Sequence, residues 1–415
     1  MMRSRGEGSG MKEIRDEGLR SPGRFEEWPE EATPLWRRAT EGAIARTRAN
    51  LAEFPAGRYP APSSRGLRYP AIENREWTSS FWPGMLWLSY ELFGDAAFRD
   101  AALAQVPDFR RRLDERVAVD THDLGFLYTL SCVAAWKLAG DGAARAAALK
   151  AATLLMGRYF EKAGVIQAWG DLGDPAQRGR IIIDCAMNLP LLFWASEETG
   201  DPYYREAASR HLAAANENLL REDASSYHTF FFDVETGAPL RGKTAQGYSD
   251  SSCWARGQAW GIYGLALNFR YLRDPALLET ASRLAHYFLN RTPADFVCYW
   301  DLAFTEGGEE RDSSAAAIAA CGLLELAKAL PAADARRRPF ENAAASIAAS
   351  LARSYAVGAA GEGGSAATAA RSNGLLLHAV YNKPGREGVD ECCIWGDYFY
   401  LELLARLQLS WAPYW

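Results

Sequence analysis

A short turn recurs along this chain and constrains its fold more than any other sequence feature. Each copy ends one apolar helical run and begins another. The four copies are Gly94-Asp95, Gly140-Asp141, Gly200-Asp201 and Arg273-Asp274. Glycine favours the left-handed residue that ends a helix, and aspartate caps the helix that follows. The turns therefore predict a series of helical hairpins.

The runs on either side of these turns differ in character. Those before the turns are apolar around most of their circumference, as buried helices are, whereas those after them carry arginine and glutamate on one side. The buried runs are 79–93, 122–139, 185–199, 252–272, 313–330 and 391–409, and the amphipathic runs include 203–220 and 276–290. Six buried helices alternating with six amphipathic ones predict an all-α fold, an (α/α)6 barrel of six helical hairpins, with an open solenoid as the alternative.

The sequence predicts one domain with a short tail. Residues 1–20 are polar and contain no apolar segment like that of a signal peptide, so we expect a flexible N-terminal tail, with translation starting at Met1 or Met11. Residues 21–415 should form a single (α/α)6-barrel catalytic domain. The β-leaning stretches 165–169, 180–183, 228–234 and 296–300 predict loops or hairpins at the barrel mouth, and 302–310 and 357–370 predict surface loops.

Composition argues against several classes of partner and site. The net charge is −6 and no block of five basic residues occurs, so neither nucleic acid nor an anionic membrane is expected as a partner. No run of 18 apolar residues is present that could span a membrane. The seven cysteines are mostly isolated, which argues against a disulfide framework or a metal site and favours a cytoplasmic location.

Two carboxylates stand at the start of buried helical runs. The simplest interpretation of Asp123 and Asp184 is that they are helix N-terminal acids, stabilised by free N–H groups and the helix dipole. Asp184 lies between the apolar segment 181–183 and an apolar helix, so desolvation should raise its pKa and let it carry a proton near neutral pH. Asn188 lies one turn further along, where we expect it to orient Asp184 and to contact the substrate.

Aromatic and basic side chains suggest that an anionic sugar binds near these acids. Arg256 and Trp260 are four residues apart on one helix face, where a guanidinium can bind a carboxylate and an indole can stack on a sugar ring. The alternatives are an internal salt bridge for Arg256 and a core position for the tryptophan. Gln246 precedes this helix, and His228 lies in a predicted mouth hairpin.

Five motifs, in order and spread over the chain, resemble those of glycoside hydrolase family 88, the unsaturated glucuronyl hydrolases. They are THDLGF around Asp123, IDCAMN around Asp184, QGYSDSSCWARGQAWG over 246–261, RDSSAAAIAA over 311–320 and NGLLLHAVYNKP over 373–384. The resemblance covers about residues 30–410. It implies that Asp184 is the general acid and base and that Asp123 assists it. The implied sugar contacts are Trp77, Trp169, His228, Gln246, Arg256 and Trp260.

The resemblance also implies a substrate and a reaction. Unsaturated uronate-containing disaccharides and short oligosaccharides, produced by polysaccharide lyases, would be hydrated at their vinyl ether without a cofactor or metal. An unsaturated rhamnogalacturonyl hydrolase acting on pectin fragments is the nearest alternative. A non-catalytic sugar-binding barrel is a second alternative, although it would need no proton carrier such as Asp184. The parent polysaccharide, its sulfation and the choice between monomer and homodimer stay open.

Overall fold

The structure is a computed structural model that describes residues 13–30, 32–359 and 366–415. Its α-helices, in chain order, are α1 (Ala32–Asn50), α2 (Phe81–Phe93), α3 (Ala96–Leu103), α4 (Val106–Asp114), α5 (Leu124–Tyr128), α6 (Ala134–Ala139), α7 (Gly142–Met156), α8 (Cys185–Asn188), α9 (Pro190–Thr199), α10 (Pro202–Leu219), α11 (Ala255–Leu272), α12 (Pro275–Asn290), α13 (Ser313–Ala329), α14 (Arg337–Ser350), α15 (Ala366–Arg371) and α16 (Ile394–Gln408). A π-helical turn, Thr129–Val133, joins α5 to α6. A second π-helical turn, Leu351–Tyr355, follows α14.

These helices form two concentric rings, which confirms the predicted (α/α)6 barrel. The inner ring consists of α2, α5–α6, α8–α9, α11, α13 and α16, and it closes through contacts between α16 and α2. The outer ring consists of α1, α3–α4, α7, α10, α12 and α14. All but one of the positions of α13 from Ser313 to Ala327 are buried, as the apolar pattern of the inner runs predicts.

The recurrent turns have the predicted geometry. The four aspartates accept hydrogen bonds from backbone N–H groups at 2.7–3.0 Å and so cap the outer helices; they are Asp95, Asp141, Asp201 and Asp274. Gly94, Gly140 and Gly200 adopt left-handed backbone conformations, with φ between 66° and 77°. Arg273 adopts the same conformation at the fourth turn, with φ of 57°. Each inner helix therefore runs towards these turns and begins at the opposite end of the barrel, the mouth.

Short strands occur in three of the four β-leaning stretches and the fourth is a loop, in agreement with the predicted loops or hairpins. The strands are β1 (Tyr59–Pro60), β2 (Ala71–Ile72), β3 (Tyr159–Phe160), β4 (Val165–Ile166), β5 (Arg180–Ile182), β6 (Thr229–Phe232), β7 (Pro239–Lys243), β8 (Ala379–Asn382) and β9 (Glu387–Glu391). Strands β5, β6 and β7 form an antiparallel sheet. The other strands form three two-stranded sheets, β1–β2, β3–β4 and β8–β9. The stretch 296–300 contains no strand, although Tyr299 bridges to Arg311.

The N-terminal segment is more ordered than a flexible tail over 1–20 would be. The Asp16 carboxylate pairs with the His286 ring at 2.7 Å, and Glu17 pairs with Arg291 at 2.6 Å. The Ile14 side chain is buried beside α12. Residues 13–20 therefore belong to the folded domain, because charge pairs and apolar burial hold them there, while residues 1–12 lie outside the described residues.

The segment 357–370 also differs from the predicted surface loop. Residues 366–371 form the short helix α15, whereas 360–365 lie outside the described part of the chain.

Each of the seven cysteines is a buried free thiol. Among the described helices, none combines the length and the apolarity that crossing a membrane requires.

Close approach of the inner helices requires glycine at one position of α11. A Cβ atom at Gly264 would lie 2.8 Å from the carbonyl carbon of Ala186 in α8 and 3.0 Å from its oxygen. We expect Gly264→Ala to lower the free energy of unfolding by about 1–3 kcal/mol, because backbone has to move. Gly42, in the middle of α1, faces open space, so Gly42→Ala should raise that free energy by up to about 1 kcal/mol.

Urea denaturation of both variants measures these changes. Equal effects of the two substitutions would contradict the close packing of α11 on α8.

Candidate active site

The predicted site residues meet in a cavity at the barrel mouth, where the inner helices begin. The cavity has a volume of about 410 Å³, and seven of the nine residues that the sequence indicated line it: Trp77, Asp123, Trp169, Asp184, His228, Gln246 and Arg256. A larger hollow of about 810 Å³ lies between α1 and residues 352–359 and contains none of the nine. The smaller cavity is therefore the candidate active site.

Asp184 stands directly before α8 and has an unusual environment for a carboxylate. It is 8% exposed, and its Oδ2 atom is buried without a hydrogen-bond partner among the described residues. Burial raises its pKa to about 7, repulsion from Asp123 adds to the rise, and Arg256 opposes it. The group can thus hold a proton near neutral pH, as the sequence predicted.

Asp123 is held more firmly than Asp184. Its Oδ2 accepts a hydrogen bond from the Thr121 hydroxyl at 2.9 Å, and Asn188 Nδ2 lies 3.4 Å from its Oδ1. Burial raises the pKa of Asp123 to about 6, while these two hydrogen bonds and the charges of Arg112 and Arg158 oppose the rise. Near neutral pH, Asp123 is therefore the carboxyl more readily ionised.

Asn188 positions the two acids and does not line the cavity, which corrects its expected place among the sugar contacts. Its Oδ1 accepts from the Phe126 N–H at 2.8 Å, and its Nδ2 lies 3.3 Å from the Asp184 carbonyl as well as near Asp123. One buried amide thereby joins the starts of α5 and α8. The sequence placed Asn188 beside Asp184 along its own helix but did not show that it crosses to Asp123.

Arg256 forms the internal salt bridge that the sequence left as an alternative. Its Nη1 donates to Asp312 Oδ2 at 3.1 Å and to the Val380 carbonyl, and its Nη2 donates to Gln246 Oε1 at 2.6 Å and to the Tyr381 carbonyl at 2.7 Å. The terminal nitrogens are thus bonded to protein acceptors. The predicted bidentate grip on a carboxylate is absent in this arrangement, and Arg256 instead joins three walls of the cavity.

The bonds to Gln246 and His228 leave donors available on both side chains. Gln246 uses its Oε1 to accept from Arg256, so its Nε2 can donate to a ligand. His228 Nδ1 accepts from the N–H groups of Ala245 and Gln246, both at 3.1 Å, which places the ring proton on Nε2. Burial and the charges of Arg256 and Arg180 lower the pKa of His228 to about 3, so it is a neutral donor.

Two tryptophans form part of the cavity wall. The Trp77 ring stacks on Trp395 at 5.3 Å, and its Nε1 donates to the Tyr381 hydroxyl at 3.2 Å. The Arg180 guanidinium lies 4.1 Å from the centre of the Trp169 ring. Both indoles are half-buried, so each has a fixed orientation and a free surface on which a sugar can pack.

Trp260 is a core residue, which corrects its predicted place as a sugar platform. It is fully buried, and its ring packs on Phe126 at 5.2 Å and on Phe399 at 5.3 Å below the cavity. Four residues along a helix place Trp260 under Arg256, one turn deeper into the barrel. The spacing correctly put both on one face but did not distinguish the depth of each.

Further cavity residues that sequence reasoning did not assign to the site include Arg112, Tyr381 and Trp254. Arg112 is 3% exposed and donates to the carbonyls of Glu76 and Ala118 at 2.9 Å, so it fixes two segments of the mouth. Nothing distinguishes it in sequence from other arginines of amphipathic helices. Tyr381 and Trp254 lie within the quoted family motifs, and this position is the sequence feature that could have indicated them as site residues.

Comparison with known proteins identifies the family. The model of Glycosyl Hydrolase Family 88 matches residues 62–362. The chain belongs to this family. It is therefore a glycoside hydrolase, as the motifs indicated.

Characterised relatives match almost the whole chain. The unsaturated chondroitin disaccharide hydrolase of Streptococcus pneumoniae is 46% identical over 98% of this chain and 100% of its own. The unsaturated glucuronyl hydrolase of Bacillus sp. strain GL1 is 47% identical over 92% of this chain and 99% of its own. The crystal structure of the Streptococcus agalactiae unsaturated glucuronyl hydrolase, 43% identical, superposes with a TM-score of 0.91 over 98% and 100% of the two chains.

The raised pKa of Asp184 means that its ionised form lowers the free energy of unfolding. Its pKa of about 7 in the folded protein exceeds the usual 3.8, so its contribution to stability is present below about pH 4 and is lost as pH rises through 7. We expect Asp184→Asn to raise the free energy of unfolding by a few kcal/mol at about pH 8 and to have little effect near pH 4. The same variant should lose about 10²- to 10⁴-fold in turnover.

Denaturation at both pH values and steady-state kinetics measure this prediction. Asp201→Asn is a matched control, because Asp201 caps an exposed helix and asparagine caps equally well. Near-normal turnover of Asp184→Asn would remove Asp184 from the catalytic role.

Proposed function

We propose that this enzyme releases 4,5-unsaturated glucuronate from the non-reducing end of lyase-generated oligosaccharides by hydrating its double bond. The observation that supports it most strongly is the Asp184 carboxyl, which lies beside the more readily ionised Asp123. Its Oδ2 is buried without a hydrogen-bond partner among the described residues, and its pKa is about 7. Relatives at 46–47% identity carry the corresponding names.

The substrate's double bond determines which step needs a proton. Carbon 4, carbon 5 and the ring oxygen form a vinyl ether, so protonation of carbon 4 produces an oxocarbenium-like cation at carbon 5. Asp184 supplies this proton, and the resulting carboxylate then takes a proton from the water that adds to carbon 5. The hemiketal opens and the next sugar leaves, so one carboxyl serves both steps and no nucleophilic partner is needed, unlike in ordinary glycosidases.

The remaining cavity residues bind and orient the sugar. Asp123, held by Thr121 and Asn188, accepts hydrogen bonds from sugar hydroxyls and keeps Asp184 protonated through its charge. Gln246 Nε2 and the His228 Nε2–H are the neutral donors for the uronate carboxylate. Trp77 and Trp169 line the cavity and offer aromatic surfaces for the sugar ring.

The named relatives are unsaturated chondroitin disaccharide and unsaturated glucuronyl hydrolases. Their names favour an unsaturated glucuronyl substrate over a rhamnogalacturonyl one. In addition, a variant of the Streptococcus agalactiae enzyme was crystallised with dGlcA-GalNAc6S, and it superposes on this chain with a TM-score of 0.85 at 40% identity. We propose that the enzyme works in the cytoplasm, since its seven free thiols suit a reducing compartment.

The two carboxyl groups should give a bell-shaped pH profile. Asp184 must be protonated to donate, so kcat/KM should fall as pH rises above about 7. Asp123 must be ionised, so kcat/KM should fall as pH decreases below about 6. The residual activity of Asp123→Asn should keep the alkaline limb and lose the acidic one. A profile whose acidic limb persists in Asp123→Asn would assign that limb to another group.

Isotopic labelling separates hydration from ordinary hydrolysis. Turnover in heavy-oxygen water should place the label on the released keto-uronate, and turnover in deuterated water should place deuterium at carbon 4. Mass spectrometry and proton NMR of the products measure both. Saturated glucuronides are the control, because they retain the carboxylate but offer no vinyl ether to protonate. Their cleavage at a comparable rate, or label on the anomeric carbon, would reject the hydration mechanism.

A further inference from the structure

An aromatic cluster whose tyrosine is exposed and whose tryptophan is buried lies outside the cavity. Tyr248 is 62% exposed, although its ring packs edge-on against Phe304 at 5.1 Å and lies 6.3 Å from Trp300. Trp300 and Phe304 also contact one another, at 5.8 Å. We call these three residues the rim cluster. No step of the proposed hydration uses them.

The rim cluster lies between two chain segments that lead out of the cavity. Gln246 and Tyr381 both line the cavity and both bond to Arg256. On one side, the cluster residue Tyr248 follows the cavity residue Gln246 by two positions. On the other side, Lys383 pairs with Glu309, which accepts a hydrogen bond from Trp300 Nε1 at 2.9 Å. The cluster is therefore continuous with the wall of the cavity.

The backbone under Tyr248 is firmly held, while its side chain is free. The Tyr248 N–H donates to Asp301 Oδ2 at 2.9 Å, and the Ser252 hydroxyl donates to the same oxygen at 2.7 Å. The Gly247 N–H donates to Thr244 Oγ1 at 2.8 Å. A change of the Tyr248 side chain leaves all three bonds in place. An ordered backbone that presents an exposed ring loses little entropy when a ligand packs on that ring.

We propose that the rim cluster binds the third sugar of trisaccharide or longer substrates, two residues beyond the unsaturated uronate on the leaving side. The inference rests on the proposed function. We infer that the uronate occupies the cavity of about 410 Å³, so a longer chain must extend over its rim. Sugar rings present apolar C–H faces, which pack on aromatic rings and need no charge for recognition.

Kinetics with lyase-generated unsaturated disaccharide and tetrasaccharide, compared in one assay, test the proposal. Tyr248→Ala should lower kcat/KM for the tetrasaccharide about two- to tenfold, mainly through KM, because one aromatic contact is lost. The disaccharide should be turned over as by the wild type. Tyr248→Phe should retain the tetrasaccharide activity, since the ring and not the hydroxyl makes the contact. Tyr203→Ala, which removes an exposed tyrosine from an outer helix, is the matched control and should change neither.

The outcomes distinguish this inference from the function on which it rests. Equal effects of Tyr248→Ala on both substrates, including no effect on either, would overturn the rim cluster as a sugar site and leave the hydrolase intact. Failure of the wild type to act on either saccharide would overturn the proposed function and the sugar site together.

Discussion

The ion pair between Arg256 and Asp312 holds the cavity together. Both side chains are buried, at 1% and 0% exposure, and the guanidinium joins the start of α11 to the start of α13, to the loop at Gln246 and to β8. Removing one partner from a buried pair is strongly destabilising, because the other charge remains in a medium of low dielectric constant. The geometry of three cavity walls therefore depends on this guanidinium and its buried partner.

The Arg256 side chain of this pair also affects the pKa of Asp184. A buried guanidinium near a carboxyl favours its ionised form, and Arg256 does lower the pKa of Asp184. Burial and the negative charge of Asp123 outweigh that effect, so Asp184 retains its proton near neutral pH. Arg256, which is itself paired with Asp312, therefore opposes the protonation of Asp184 without preventing it.

Sequence patterns predicted the architecture well because the barrel is built from local signals. Capping aspartates and left-handed glycines mark the turns, and the period of apolar residues marks each helix, so the inner runs were located to within a few residues. The depth of a side chain in the barrel and its hydrogen bonds to distant segments leave no such local pattern in the sequence. Trp260 and Arg256 share a helix face but differ in depth, Asn188 reaches Asp123 across 65 residues, and Arg112 reaches the mouth from the outer ring.

The direction of the inner helices explains why short motifs nevertheless located most of the site. Because the outer helices return the chain, the inner helices begin at the mouth, and residues just before α2, α5, α8 and α11 line the cavity. Asp123, Asp184 and Asp312 directly precede α5, α8 and α13, so motifs spread along the chain converge on one cavity. The partial positive charges of the helix N-termini also converge there. They favour an anionic sugar at the mouth of a protein whose net charge is −6.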